Sequence, residues 1–459
     1  MSYQQFLEKK LFSIIDAGFK YEGWMPDCIF PFQRDLVLWA LKRGRAALFC
    51  DTGLGKTIMQ LTWAYAVQDQ TSKNVLIVAP LCVAQQTVRE GQKFGIDVEY
   101  IREPKFTNAR IHITNYEMLK NFNPDDYGAI VLDESSILKG MDGKFRRYVT
   151  DFASTIPYRL SCTATPSPND FMELGTQSEF LGIMSQTEML AMFFIHDGED
   201  TSKWRLKGHG KRKFWEWLAT WACVIRSPAD LGYDATGYDL PPIEYHEHII
   251  ETEPTASLFV EVAQGLQERN KARKESVIDR VKIAVDAVSS MGDEPVVVWC
   301  NLNEESQMLS DSIPDLVEVA GADTPAHKEK AAIDFVDGNV QGIISKPSIY
   351  GFGLNWQHCN QMVFVGLSDS WEKYYQAIRR CYRFGQKRTV HVHIISADTE
   401  GGVVANIKRK EKQNRELSEQ MVSLMREFME KEIRGSRIEK TEYNPSNTIQ
   451  FPSFLRAKK

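Results

Sequence analysis

The chain has 459 residues, too many for one ordinary core and suited to two domains of about 200 residues with appendages. Hydrophobic residues make up 43% and charged residues 25%, a globular composition, and no run approaches the roughly 18 apolar residues of a membrane span. A net charge of −6 excludes a protein coated in basic surface, yet a basic groove can sit among acidic faces. The opening MSYQQFLEKKLF lacks the apolar core of a signal peptide. The eight cysteines are scattered with no CxxC pair, which points to free thiols in a reducing cytoplasm rather than a disulfide or metal framework.

In chain order, residues 46–50 (AALFC) form a short apolar run before a glycine-rich loop. Further runs at 75–79 (VLIVA), 129–132 (AIVL) and 159–163 (RLSCT) alternate with longer mixed segments such as 57–70 and 83–94. That alternation predicts strands and helices, and hence an α/β fold with a parallel sheet covered on both faces. The pattern pauses from about 182 to 250 and resumes at 296–300, 316–320, 342–345, 361–366 and 390–395, predicting a second parallel α/β domain. The expected division is 1–240 with a helical insertion at about 182–226, then 241–435, then a polar tail at 436–459. In the segment 402–433, Leu417, Met421, Leu424, Met425 and Phe428 recur at spacings of three and four. They predict one helix, packed on the second domain.

The strongest local signal is Asp51-Thr52-Gly53-Leu54-Gly55-Lys56-Thr57, which follows a strand and opens a helix. Backbone N–H groups of Thr52, Gly53 and Gly55 can wrap a phosphate chain at a helix N-terminus. Lys56 would reach the β- and γ-phosphates of ATP, and Thr57 would hold Mg²⁺. The long form of this pattern asks for glycine where Cys50 stands. The run Val131-Leu132-Asp133-Glu134-Ser135-Ser136 delivers two carboxylates at a strand end. Asp133 suits Mg²⁺, and Glu134 suits the attacking water. Alone, such a pair is an ordinary solvated loop. Upstream, Gln33 offers an amide donor and acceptor that match an adenine edge.

On a helix over 376–386, Gln376, Arg380 and Arg383 share one face. Two guanidinium groups there could bind charge spreading over a γ-phosphate. In the preceding segment 345–356, glycines including Gly353 permit close backbone approach to a ligand.

These motifs, in this order from about Gln33 to Lys412, resemble the superfamily-two helicases, and within them the Swi/Snf-like DNA translocases. DTGLGKT resembles motif I, VLIVAP motif Ia, ITNYEML the next DNA-contacting segment, and LDESS motif II. SCTATPSPNDFMEL is similar to motif III, VVVWCN to motif IV, GFGLN to motif V and QAIRRCYRFGQ to motif VI. Three motifs depart: Ser135-Ser136 in motif II, Arg379 where the family usually has Asp and Tyr382 where it often has His in motif VI, and Tyr350 in place of a small residue in motif V. The compact length is similar to bacterial or phage members. The resemblance implies two RecA-like lobes closing on ATP and Mg²⁺, with Asp133, Glu134, Gln376, Arg380 and Arg383 catalytic. Gln33, Thr52, Gly53, Gly55, Lys56, Thr57 and Gly353 would hold the nucleotide. DNA would cross both lobes at Pro80, Thr114, Thr163, Thr165 and Asn301. The implied setting is a bacterial or phage-infected cytoplasm, with duplex or branched DNA as the track and replication or recombination proteins as further partners.

The insertion interleaves Lys203, Arg205, Lys207, Lys211, Arg212 and Lys213 with Trp204, Phe214, Trp215, Trp217 and Trp221. Basic groups neutralise phosphates and rings can stack on bases, so Lys203, Trp204, Arg205, Lys211, Arg212 and Lys213 are candidate DNA contacts. The spacing of Phe214, Trp217 and Trp221 fits equally a buried helical stripe. Three further readings remain open: an RNA helicase on the same scaffold, a non-enzymatic nucleic-acid-binding scaffold, and the motor subunit of a restriction or defence complex. Asp-Glu-Ser-Ser in place of DEAD-type chemistry favours DNA over RNA, and retention of Lys56, Asp133, Glu134, Arg380 and Arg383 argues for an enzyme.

Overall fold

A computed structural model of the chain describes residues 17–104, 109–140, 143–167, 170–196, 204–251, 276–351, 354–368, 370–398 and 401–433. The first lobe is built on β1 (Arg45–Cys50), β2 (Asn74–Ala79), β3 (Val98–Tyr100), β4 (Ile111–Asn115), β5 (Tyr127–Asp133) and β6 (Tyr158–Cys162). A short antiparallel hairpin follows, β7 (Phe194–His196) and β8 (Trp204–Leu206), and then β9 (Ala222–Ile225). The main sheet runs β3-β4-β2-β5-β6-β1-β9, every pair parallel. Its central strands are apolar on both faces because helices cover both, so Val75 to Ala79 and Ala129 to Leu132 are fully buried.

The second lobe comprises β10 (Ile243–Ile250), β11 (Val296–Cys300), β12 (Leu316–Val319), β13 (Gly342–Ser345), β14 (Gln361–Val365) and β15 (Val390–Ala397). They pair in the order β10-β15-β14-β11-β13-β12, again all parallel. Cores lie on both faces, one around Trp299, Trp356 and Phe364, the other around Val298, Val363 and Ile395. The fold is two tandem parallel-sheet lobes, as the alternation predicts, and of the RecA-like kind, as the family resemblance implies. Both phosphate-side motifs leave the C-terminal ends of strands, where open α/β sheets place their ligands.

Two features differ from expectation. The segment 182–226 holds the helices Gln186–Phe193 and Lys211–Ala219, but also the hairpin and β9, which completes the first sheet beside β1. The four-residue run Ala-Cys-Val-Ile is too short to register against the tryptophan-rich helix before it. The second difference is the long helix Gly401–Ile433. It does not stay on the second lobe. Val403 and Ile407 pack there, whereas Met421, Met425 and Met429 are buried in the core of the first lobe. The stripe is long enough to serve two cores in turn, and periodicity alone does not name the partner. No described helix is long and apolar enough to cross a membrane.

Candidate nucleotide site between the lobes

The phosphate loop links β1 to the helix Lys56–Thr71 through two left-handed glycines, Gly53 (φ 86°) and Gly55 (φ 77°). A Cβ on Gly55 would lie 2.2 Å from Gln33 Nε2, and one on Gly53 would lie 2.8 Å from the backbone nitrogen of Phe384 in the second lobe. The loop is therefore pressed from both sides, and glycine is required by conformation and by space. Gln33 donates from Nε2 to the Leu54 carbonyl at 2.9 Å and accepts the Phe30 N–H at 3.0 Å. Both ends of its amide are thus engaged within the lobe, holding the loop. The Lys56 ammonium donates to the carbonyls of Cys50 and Asp51 at 2.9 and 3.3 Å. Thr57 sits in the helix's first turn, half-buried.

Across β6, β5 ends in Asp133. Gln60 donates to Asp133 Oδ1 at 2.7 Å, and Tyr116 donates to the Asp133 carbonyl at 2.8 Å. Burial, and Glu134 beside it, push the Asp133 carboxyl up to about 7. Glu134 has φ 51°, a left-handed conformation that costs a non-glycine residue about 1–3 kcal/mol. Its Oε2, the Ser136 hydroxyl and the Gln376 Nε2 are buried without a hydrogen-bond partner. Such groups carry a desolvation cost until something meets them, which is what a bound polyanion with its cation and water would do. The donor set of Lys56, Thr57, Asp133 and Glu134 fits Mg²⁺-nucleotide in this way. Ser135, one of the departures, accepts the Ser161 hydroxyl at 2.8 Å and, through its carbonyl, the Gln177 amide at 3.0 Å, tying motif II to motif III.

The opposite wall comes from the helix Trp371–Ile378 and the turn after it, so the expected helix over 376–386 stops short: only Gln376 is helical, and Arg380 and Arg383 lie in the turns that follow its C-cap. Arg380 is buried and bonds Gln376 through its carbonyl (2.8 Å) and Oε1 (2.9 Å), and the Leu354 carbonyl at 3.0 Å. Arg383 also donates to Leu354 O at 3.0 Å. Burial and then Arg383 lower Arg380 to about 10, and the Glu134 carboxylate acts on both guanidinium groups from across the cleft. Gly353 and Lys203 lie outside the described residues.

Sequence reasoning marks Arg379 and Tyr382 as departures without showing their use. In the structure, Arg379 pairs with Asp51 of the phosphate loop at 3.4 Å, and Tyr375 donates to the other Asp51 oxygen at 2.8 Å. The guanidinium lies over the rings of Tyr375 (5.0 Å) and Tyr382 (5.4 Å). Burial opposes the Asp51 charge, but Arg379, Tyr375 and the Thr52 N–H hold the carboxyl below its usual range. A second bridge has no signal in the sequence: Glu372 forms an ion pair with Lys139 at 2.7 Å and accepts the Thr165 hydroxyl at 3.2 Å, joining motif III and the helical turn after motif II to the second lobe. The remaining departure, Tyr350, is core, edge-on to Trp356.

Beside the loop is a cavity of about 530 Å³ lined by Asp51, Gly53, Arg226, Tyr238, Phe384 and Arg426. Tyr238 and Phe384 face each other with centroids 4.6 Å apart, and Arg426 belongs to the long C-terminal helix.

Of the expected DNA contacts, Pro80 caps the helix Leu81–Phe94 and is half-buried. Thr114, Thr163 and Thr165 are buried, and Thr163 accepts the Thr165 N–H at 3.1 Å. Asn301 donates to the Gly366 carbonyl at 2.9 Å. In the insertion, Phe214, Trp215, Trp217 and Trp221 are core, which settles the stripe in favour of packing. Trp204 is half-buried against His196, with centroids 3.7 Å apart. Arg205, Lys211, Arg212 and Lys213 are exposed, Arg212 pairing with Glu216 at 2.9 Å.

Residues 279–385 match the helicase conserved C-terminal domain, and residues 5–168 match the type III restriction enzyme res subunit. Protein p41 of Acyrthosiphon pisum secondary endosymbiont phage 1 is 25% identical over 446 residues, covering 82% of this chain and 94% of the relative. The DNA annealing helicase and endonuclease ZRANB3 of Mus musculus is 24% identical over 171 residues, 33% of this chain and 16% of that protein. The chain thus spans nearly all of the phage relative and a small part of the mammalian one. Among solved structures, Saccharomyces cerevisiae Dbp5 bound to RNA and ADP BeF3 superposes with a TM-score of 0.58 at 11% identity, covering 86% of this chain and 93% of Dbp5. That likeness concerns the two-lobe fold. With a helicase C-terminal domain match following a restriction-enzyme res-subunit match, the motifs in order and these relatives, the chain is similar to the superfamily-two helicases, with its Swi/Snf-like character resting on the motif pattern.

Proposed function

We propose that the chain is an ATP-driven translocase whose track is duplex, forked or branched DNA, serving replication, recombination or repair. The observation that carries the ATPase part is the cleft itself, where the glycine loop of one lobe meets Phe384 and Arg379 of the other, and Glu134 Oε2 and Gln376 Nε2 are buried without hydrogen-bond partners. Mg²⁺-ATP, when bound, supplies the transferable γ-phosphoryl group and the cation that spreads its charge. Lys56 and the loop N–H groups hold the phosphates, Thr57 and Asp133 face the cation, and Glu134 orients water. Arg383 and Arg380, positioned by Gln376 and Leu354, stabilise charge only when the lobes are closed. Closure would thereby be coupled to hydrolysis. Tyr238 and Phe384 offer flat apolar faces to the base.

The choice of DNA rests on the Swi/Snf-like motif pattern and on the basic, exposed helix edge at Lys211, Arg212 and Lys213. The test is the ATPase rate with single-stranded, duplex, forked and four-way DNA, and with RNA. Stimulation by duplex or junction DNA well above RNA is expected; preferential stimulation by RNA would make the chain an RNA helicase, and stimulation by none would remove the track.

A further inference from the structure

Strand β10 reads Ile-Glu-Tyr-His-Glu-His-Ile-Ile and β15 reads Val-His-Val-His-Ile-Ile-Ser-Ala. A strand's period of two puts Glu244, His246 and His248 on one face. The parallel register sets Glu244 beside His391 and His246 beside His393, so both β15 histidines share that face. His246 Nε2 lies 3.1 Å from His391 Nδ1, and His248 Nε2 lies 3.1 Å from His393 Nδ1. Glu244 Oε2 is 3.5 Å from His391 Nδ1. The rings form a ladder, His246 over His393 at 4.6 Å and His248 over His393 at 5.4 Å.

Packing does not call for this composition, since β-branched residues fill such positions without polar atoms. What the composition supplies is converging ligand atoms. Those of Glu244, His246 and His391 all lie within 4.8 Å of one another. Two ligands on one tetrahedral ion, each about 2.0–2.2 Å from it, stand roughly 3.3–3.6 Å apart. The two closest separations, 3.1 and 3.5 Å, sit near that spacing. Two imidazoles and one carboxylate suit a borderline transition ion and poorly suit Mg²⁺ or Ca²⁺, which take oxygen.

We propose that Glu244, His246 and His391 form a binding site for one divalent transition ion of the zinc class, inside the second lobe and separate from the nucleotide cleft. The tautomers with hydrogen on His246 Nδ1 and His391 Nε2 turn both free lone pairs to the ion, and no proton is lost. Three protein ligands leave a fourth position for water. The ion staples β10, the sheet's edge strand and the first to follow the connection from the first lobe, to β15. Metal binding of this kind adds directly to the stability of the elements it joins.

The test uses the untagged full chain, stripped with EDTA and titrated with Zn²⁺ against a chromophoric chelator. One equivalent should bind, with a rise in Tm. His391→Gln and His246→Gln should each weaken binding beyond the roughly 10–100-fold that a mere outer-shell partner is worth. Co²⁺ substitution of the wild type gives a readout that needs no variant to fold. Its spectrum should show nitrogen and oxygen ligation without a thiolate charge-transfer band. A thiolate band, failure to bind one equivalent, or undiminished binding in both variants would overturn the site.

Discussion

The Arg379 guanidinium lies 3.4 Å from the Asp51 carboxylate, so the first residue of the phosphate loop is tied directly to the opposite lobe. The same guanidinium lies over the Tyr375 and Tyr382 rings, so Asp51, Tyr375, Arg379 and Tyr382 make one unit. Arg379→Asp, which installs the residue common in the family, would set two carboxylates against each other in a mostly buried place. Like charges there should push the lobes apart. Solution scattering of the nucleotide-free protein should show a larger radius of gyration, partly reversed in Arg379→Asp/Asp51→Asn. An unchanged radius in the single variant would mean the pair does not hold the lobes.

Lys56→Ala should abolish ATP turnover and leave Tm nearly unchanged. The ammonium meets only two loop carbonyls, of Cys50 and Asp51, on the rim of the cleft, and supports no core. Near-wild-type hydrolysis would displace the phosphate site from this loop.

Arg383→Ala should bind ATP yet hydrolyse it ~10³–10⁵-fold more slowly, the range for a transition-state arginine. Arg380 is the poorer probe, because it is fully engaged with Gln376 and Leu354 and its loss would also disturb the lobe. Glu134→Gln should likewise trap ATP-bound protein on DNA. Single-turnover rates alongside nucleotide affinity decide the matter: weaker binding with unchanged turnover would make Arg383 a ground-state ligand.

Most of the strands and both walls of the cleft are legible in the sequence because they depend on local patterns. Apolar runs such as 75–79 and 296–300 are buried strands, and the glycine loop dictates its own backbone. What stays hidden depends on partners far along the chain. Asp51 and Arg379 are 328 residues apart, and their pairing shows only as an unexpected basic residue in motif VI. The histidine ladder leaves a trace in two His-x-His repeats, 246–248 and 391–393, but their adjacency is a matter of strand register. The C-terminal helix carries an apolar stripe without an address.

That address gives another prediction. Met425 is fully buried in the first lobe although its helix begins on the second. Met425→Ala should cost about 2–5 kcal/mol, the range for emptying a core methionine site. Thermal melts should show it as a clear fall in Tm. A negligible change would mean the helix end is loosely seated.

The insertion offers the most exposed test of the DNA reading. In the helix Lys211–Ala219, one face buries Phe214, Trp215 and Trp217 while Lys211, Arg212 and Lys213 face outward. Replacing these three with Ala removes charge without touching the core, so fold and DNA-independent ATPase should survive. For every phosphate that these side chains neutralise, the log–log salt slope on duplex DNA should fall by about 0.9 in the triple variant. Arg212 already pairs with Glu216 in an exposed i,i+4 bridge, worth only about 0.3–0.5 kcal/mol, so that pairing would not prevent it from meeting phosphate. Trp204 separates stacking from support. It is half-buried against His196 on a two-stranded hairpin, outside the main sheet. If its ring meets bases, Trp204→Ala should reduce fork or junction processing more than duplex-stimulated ATPase, at unchanged Tm. A uniform loss of stability and activity would assign it to packing, and an unchanged salt slope in the triple variant would reduce the basic edge to a solvated face, leaving DNA binding to the motor motifs.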